Sequence, residues 1–179
     1  GIWFGNDSSH PLRYAHHLYI DGQEVINLVI PEGVTSIGQY AFYGCTEIAN
    51  VTLPASLDTV GYHAFDECNS LGRTRFMGSI AQWCNIGFGN ERSNPIFFSR
   101  NFYLGSSKVT DLVIPTGVIS VKPYAFYRCN SLASVTFGED VRTIGDYAFE
   151  SCEQMTTVNF APGLTDIGIG AFRYCYRTT

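Results

Sequence analysis

Charge is scarce in this chain. Only 15% of its 179 residues are Asp, Glu, Lys or Arg, and the formal net charge is −5. A basic face able to track phosphates is missing, which argues against nucleic acid as a partner. Hydrophobic residues make up 45%, so the low charge does not signal disorder. Long apolar runs are missing too, and none approaches the roughly 18 residues of a membrane span. No basic-then-apolar leader stands at Gly1. No two cysteines have C-x-x-C spacing, which removes the usual signature of zinc or thioredoxin-like chemistry. There is no G-x-S-x-G, no glycine-rich phosphate loop and no carboxylate pair inside an apolar cleft. Of the histidines, His16 and His17 are adjacent and point to opposite sides in an extended segment. No carboxylate or cysteine lies at ligand spacing from this pair, and His63 takes a variable position of the repeat, while His10 stands outside it. No metal, cofactor or catalytic residue is therefore expected.

What is present is a repeated phrase. Ile144-Gly145-Asp146-Tyr147-Ala148-Phe149-Glu150-Ser151-Cys152 returns as Ile37 to Cys45 and Val60 to Cys68, and more loosely as Val121 to Cys129 and Ile167 to Cys175. The alanines at 41, 64, 125, 148 and 171 are spaced by 23, 61, 23 and 23 residues. A fixed period in the low twenties is the mark of a solenoid with one coil per repeat. Five of the six cysteines hold one position of the phrase; Cys84 does not. They read as small buried apolar residues rather than disulfides, because parallel side chains on neighbouring coils seldom meet disulfide geometry.

A longer period appears when the sequence slides by 84. Phe4-Gly5-Asn6 then meets Phe88-Gly89-Asn90, and Leu28-Val29-Ile30-Pro31 meets Leu112-Val113-Ile114-Pro115. The chain reads as one solenoid over residues 1–179: an irregular unit at 1–27, two coils at 28–76, an irregular insertion at 77–108 and three coils at 109–179. The long step exceeds the regular one by 38 residues, 32 of which are the irregular stretch 77–108. The first unit lacks its beginning and the last coil lacks its end, so further chain, a cap or a partner is expected at a terminus.

Each coil has a readable pattern. Ile48-Ala49-Asn50-Val51-Thr52-Leu53-Pro54 alternates and ends on proline, which gives a short strand with Ile48, Val51 and Leu53 facing in. A second short extended segment follows, with Leu57 and Val60, or Val141 and Ile144, turned inward. Apolar residues at i, i+1 and i+4 of Ala-Phe-x-x-Cys predict one helical turn. In the insertion, Ser79 reads as the cap of a short amphipathic helix, and Pro95 as the first residue of another. A strand at Asn101–Leu104 and a return strand at 109–114 frame a turn.

The residues facing away from the core are Asn27 and Val29, Asn50 and Thr52, Arg73 and Arg75, Asp111 and Val113, Ser134 and Thr136, and Thr157 and Asn159. Stacked coils would set them on one continuous strand face. Candidate partner-binding residues are therefore Asn50, Thr52, Arg73, Arg75, Asp111, Ser134, Thr136, Thr157 and Asn159, with Arg73 and Arg75 the local cationic feature. The same residues also suit a merely solvated face. Trp3, Tyr14, Tyr43, Trp83, Phe97, Phe98 and Tyr127 gather in or beside the irregular units, where they either seal the insertion or offer rings to a sugar or a protein.

Strands written L-x-x-V-x-L-P followed by V-x-x-I-G-x-x-A-F-x-x-C resemble the BspA-like leucine-rich repeats of bacterial surface proteins. Leu132 to Phe137 with Val141 to Cys152 carry the resemblance, and Gln82-Trp83-Cys84-Asn85-Ile86 through Ser93-Asn94-Pro95 resembles segments that accompany such repeats. Lys122-Pro123 and Gly138 depart from the pattern. The resemblance implies a right-handed, leucine-rich-repeat-like β/α superhelix, located extracellularly or on the cell surface. It also implies a non-catalytic adhesion or recognition module for a host matrix or microbial surface protein. A structural spacer without a ligand, or a carbohydrate-binding module using the insertion aromatics, are the alternatives.

Overall fold

The chain is seen in a computed structural model that describes residues 17–175 and Arg177. The features noted at Trp3, Phe4, His10, Tyr14 and His16 lie outside the described residues. From Asn27 onward the backbone winds as a solenoid of about six coils. A two-stranded hairpin of β1 (Tyr19–Ile20) and β2 (Gln23–Glu24) precedes it, turning at Asp21-Gly22.

Strand β3 (Asn27–Val29) pairs in parallel with β5 (Asn50–Leu53), and β5 with β7 (Arg73–Phe76). The second, shorter strands form their own parallel row of β4 (Ser36–Ile37), β6 (Thr59–Val60) and β8 (Gly87–Phe88). Alternation decides what is buried: Leu28 and Val51 share a register with Thr74 of β7, and all three are buried. Thr74 is tolerated inside because its hydroxyl meets Ser99 Oγ at 2.8 Å. Pro54 ends β5, as its missing N–H requires.

The insertion is woven into this stack. Its first helix, α1 (Ile80–Cys84), starts in a full capping box between Ser79 and Gln82. Chain after α1 supplies β8, a 3-10 turn at Glu91–Ser93 and helix α2 (Ile96–Ser99), whose Ile96 N–H is received by Asn94 Oδ1. Pro95, expected as the first helical residue, stands one place earlier as the N-cap of α2, already with helical dihedrals. Strand β9 (Phe102–Leu104) then joins β7 in parallel, and β10 (Ser107–Lys108) folds back on it antiparallel. A second stack follows, with β11 (Asp111–Ile114), β13 (Ser134–Phe137) and β15 (Thr157–Asn159) in one row. Strands β12 (Ser120–Val121), β14 (Thr143–Ile144) and β16 (Asp166–Ile167) form the other. Strands β2 to β7 begin 84 residues before β10 to β15, so the longer sequence period is also a spatial one.

The Ala-Phe-x-x-Cys phrase corrects the helical expectation. It forms two linked turns, with Ala148 N–H bonded to Gly145 O and Cys152 N–H to Phe149 O. Tyr147 and Ser151, third in these turns, have φ of 56° and 58°. A left-handed residue at that place belongs to a type II turn and cannot continue a helix. Its neighbours compensate: Tyr147, Phe149 and Ser151 donate their N–H groups to Ile169, Ala171 and Arg173 of the next coil. Helices among the described residues occur in the insertion alone. The preceding glycine is required by closeness, since a Cβ on Gly145 would stand 2.5 Å from Pro123 N.

Phenylalanines stack behind these turns. Phe126, Phe149 and Phe172 follow one another at 5.1 and 5.2 Å between ring centres. All six cysteines are buried, and none forms a disulfide. The repeat position has a reason beyond small size. Cys68 Sγ donates to Phe42 O, Cys152 to Phe126 O and Cys175 to Phe149 O, each at 3.2 Å. Each thiol thus satisfies a carbonyl of the preceding coil.

Burial lifts the Cys45 and Cys84 thiols from 9.0 to about 12 and Cys129 to about 11. An unfolded chain would lose these protons first. Stability is therefore expected to be unaffected by these thiols below about pH 9 and to fall as pH rises toward their folded values. Urea midpoints measured in steps through this range test it, and Cys45→Ala should flatten the slope. A midpoint that stays constant past about pH 10 contradicts the burial account.

Candidate functional site

Register places the outward strand residues in rows. Asn27, Asn50 and Arg73 align, and Val29, Thr52 and Arg75 align beside them, followed by Tyr103. In the second stack Asp111, Ser134 and Thr157 form one row, and Val113, Thr136 and Asn159 the other. The rows are knitted by rung-to-rung hydrogen bonds. Asn50 Nδ2 donates to Asn27 Oδ1 at 2.7 Å, Ser134 Oγ to Asp111 Oδ1 at 2.6 Å, and Asn159 Nδ2 to Thr136 Oγ1 at 3.1 Å. The bond from Ser134, then that from Thr110, holds the Asp111 carboxyl below its ordinary value.

The face is not one continuous sheet. Strand β10 takes the free edge of β9, and β11 opens a separate sheet. A continuous ladder is impossible here because an antiparallel strand occupies the edge that β11 would need. The candidates therefore fall into two panels: Asn50, Thr52, Arg73 and Arg75 on the first, and Asp111, Ser134, Thr136, Thr157 and Asn159 on the second.

The panels differ in charge. Arg73 lies over the Tyr103 ring at 4.6 Å, and Lys108 is opposite Tyr103 in the hairpin. Among the described residues no carboxylate lies within salt-bridge distance of Arg73 or Arg75. The Arg75 Nε is buried and has no hydrogen-bond partner. Both arginines border a shallow concavity of about 230 Å³, shared with Asn27, Asn50 and Thr52.

The insertion aromatics do not make the exposed platform that a sugar would need. Trp83 is fully buried against Phe76 and Phe102. Phe97 and Phe98 are half-buried and tilted 58° to each other, with Phe97 stacked on Tyr127. His63 serves the fold: it stacks on Tyr40 and meets Asp66 Oδ2 at 3.1 Å.

A second concavity, of about 260 Å³, lies on the turn face between Glu91, Tyr124, Tyr127, Tyr147, Glu150 and Arg173. Sequence reasoning passed over it. Glu150 follows Phe149 in the repeated phrase, where other coils have Tyr43, Asp66, Tyr127 and Arg173. An acid beside a core phenylalanine was the available signal. The Glu150 side chain is only 3% exposed; Arg173 Nη2 donates to its Oε1 at 2.8 Å. Its Oε2 is buried without a partner. Burial, then Glu91, raises the Tyr124 phenol, while burial and Glu150 raise Tyr127, so both remain donors at neutral pH.

This architecture matches a known sequence pattern. The BspA type leucine rich repeat region matches residues 17–102 and 97–179 in six copies. The chain belongs to the BspA-type leucine-rich repeat family. Among solved structures, it is similar to a leucine rich cell surface protein from Faecalibacterium prausnitzii, with 21% identity and a TM-score of 0.50 over 86% of this chain and 46% of that one. It is also similar to a leucine rich repeat protein of T. pallidum, with 26% identity and a TM-score of 0.39 over 87% and 57%. A third, from Eubacterium ventriosum, has 16% identity and a TM-score of 0.46 over 96% and 56%. This BspA-type chain thus spans about half the length of these structures. No curated protein matches it. No helix of the described residues is long and apolar enough to cross a membrane.

Proposed function

We propose that this chain is a non-catalytic recognition module of a bacterial surface or secreted protein, and that it binds an acidic segment of a protein partner on its first strand panel. The observation that carries the reading is the unpaired state of Arg73 and Arg75 beside the Asn27–Asn50–Thr52 concavity, with the Arg75 Nε buried and unpartnered. The two arginines have no acid beside them, and a carboxylate from outside can pair with their accessible guanidinium ends. A pure spacer gives no reason to keep two arginines without acids on one strand. Location at the cell surface rests on the family and on the F. prausnitzii protein's description.

The test is binding of the purified chain to an array of matrix and microbial surface proteins, repeated with Arg73→Ala/Arg75→Ala. A hit should weaken by about ten-fold or more in the double variant, since each charged hydrogen bond contributes about 1.5–3 kcal/mol. Its thermal melt should be nearly unchanged, and added salt should mimic the variant. A protein ligand bound equally by both chains would move the site elsewhere. Absence of any hit at high micromolar concentration would favour the spacer.

A further inference from the structure

Between β10 and β11 the outward sheet is interrupted, and among the described residues neither facing edge has a strand partner. Thr110 O accepts the N–H groups of Ala133 and Ser134, and Ile114 O accepts that of Gly138. Alternate residues of a parallel strand address opposite neighbours. Thr110, Leu112 and Ile114 therefore face β13, while Asp111 and Val113 turn their N–H and C=O groups to the open side. The same holds on β10. Val109 N–H bonds Phe102 O, so Lys108, opposite Tyr103, directs its backbone away from β9. The two edges part at Thr110 and border a concavity of about 500 Å³, lined by Ile80 of α1, Leu104 and Leu112. Val113, on its outer lip, is 61% exposed.

We propose that this cleft is a strand-addition site, which takes an extended segment of a partner protein and bonds its backbone to Asp111 and Val113. It goes beyond the arginine reading, because β9 and β10 separate it from Arg73 and Arg75. Open edge groups are a template for a further strand. The lining then selects the sequence of that strand. Its inward residues meet the half-buried Ile80 and Leu104, so they are apolar. Its outward residues meet a charge on each lip. Lys108 is on the face that Tyr103 shares with Arg75. Among the described residues no carboxylate lies within salt-bridge distance of it, so an acid beside it gains an ion pair. Asp111, on the other lip, repels a second acid at its own level and suits a hydroxyl donor. A valine–threonine–valine–glutamate alternation meets all these demands.

The probe is the hexapeptide Val-Thr-Val-Glu-Val-Thr, acetylated and amidated, titrated into the isotope-labelled whole chain and followed by amide exchange. In the free chain Asp111 and Val113 should exchange faster than Leu112 and Ile114. With peptide at about ten times its Kd, both should slow about ten-fold. Lysine in place of the peptide's glutamate should weaken binding about five-fold, and Lys108→Glu should reverse that preference. Val113→Pro removes an outward N–H and leaves the bonds to β13 intact, which proline on an edge strand allows. It should weaken binding about ten-fold or more, while Arg73→Ala/Arg75→Ala leaves it unchanged. Any of four results overturns the assignment. These are no binding at several millimolar, binding without protection of Asp111 and Val113, and equal binding of the glutamate and lysine peptides. The fourth is a free chain that sediments as a dimer with these amides already protected, which makes a second copy the occupant. If Val113→Pro fails to fold, exchange on the unaltered chain still decides.

Discussion

Phe149→Ala is expected to lower the unfolding free energy by about 3–5 kcal/mol, the usual cost of deleting a buried phenylalanine. Phe149 is fully buried in the middle of the second stack. It lies between Phe126 and Phe172, with Phe137 edge-on at 5.7 Å. Deleting it removes both faces of contact at once. The coils on either side are tied to it by backbone bonds, including Phe149 N–H to Ala171 O, so they cannot collapse into the void. Phe172→Ala should cost less, because Phe172 is half-buried and stacks on one phenylalanine of the ladder. Urea denaturation followed by far-UV circular dichroism measures both. Equal costs for the two variants would mean that the stack is not the source of the stability.

Trp83→Ala should cost a similar amount, about 3–5 kcal/mol, and should also divide the unfolding transition. The strand rows end at β8 and β10 and restart at β11 and β12, so strand pairing does not link the two stacks. The seam is closed by other means. Trp83 Nε1 donates to Ala125 O at 2.8 Å, while Asn94 Nδ2 reaches Tyr124 O and Ala125 O at 2.9 Å. Lys122 N–H bonds Cys84 O, and Ser131 N–H bonds Arg100 O. The indole also fills the space between Phe102 and Phe126. Solenoid cooperativity is carried by contacts between neighbouring coils, and at this contact the strand pairing that joins the other coils is absent. Unfolding of Trp83→Ala should therefore show two midpoints, one for each stack. Trp83→Phe, which keeps a ring and loses the N–H, should cost about 0.5–1.5 kcal/mol for the lost hydrogen bond, because Asn94 Nδ2 still donates to Ala125 O. A single transition with little loss of stability in Trp83→Ala would remove the tryptophan from its role at the seam.

The expectations that depend on period were readable in the chain. The 23-residue coil, the burial of Val51, Leu53 and the phase-locked cysteines, and the 84-residue relation of β2–β7 to β10–β15 all follow from patterns that adjacent repeats restate. The cap at Ser79–Gln82 was equally local. The Ala-Phe-x-x-Cys phrase misled because i, i+1 and i+4 burial fits a helical turn as well as two linked turns. The choice fell to the N–H groups of Tyr147, Phe149 and Ser151, which bond the next coil instead of their own turn. A single coil cannot reveal that preference.

The candidate surfaces divide in the same way. Alternation alone turned Arg73, Arg75 and the Asn–Thr rows outward. The break between the panels depended on β10 reaching the edge of β9 first, a pairing across a turn that competes with the stacking period. Glu150 shows the limit most clearly. Its position in the phrase predicts a side chain beside the core, but its pairing with Arg173 and the orphaned second oxygen depend on the next coil. The sequence by itself determined the coil, its inward residues and the family, because those depend on backbone periodicity and on burial repeated every 23 residues. Only the tertiary structure decided the seam at Trp83, the two strand panels and the Glu150–Arg173 pair. Each of these depends on which side chain of one coil meets which atom of another, and no repeat pattern encodes that pairing.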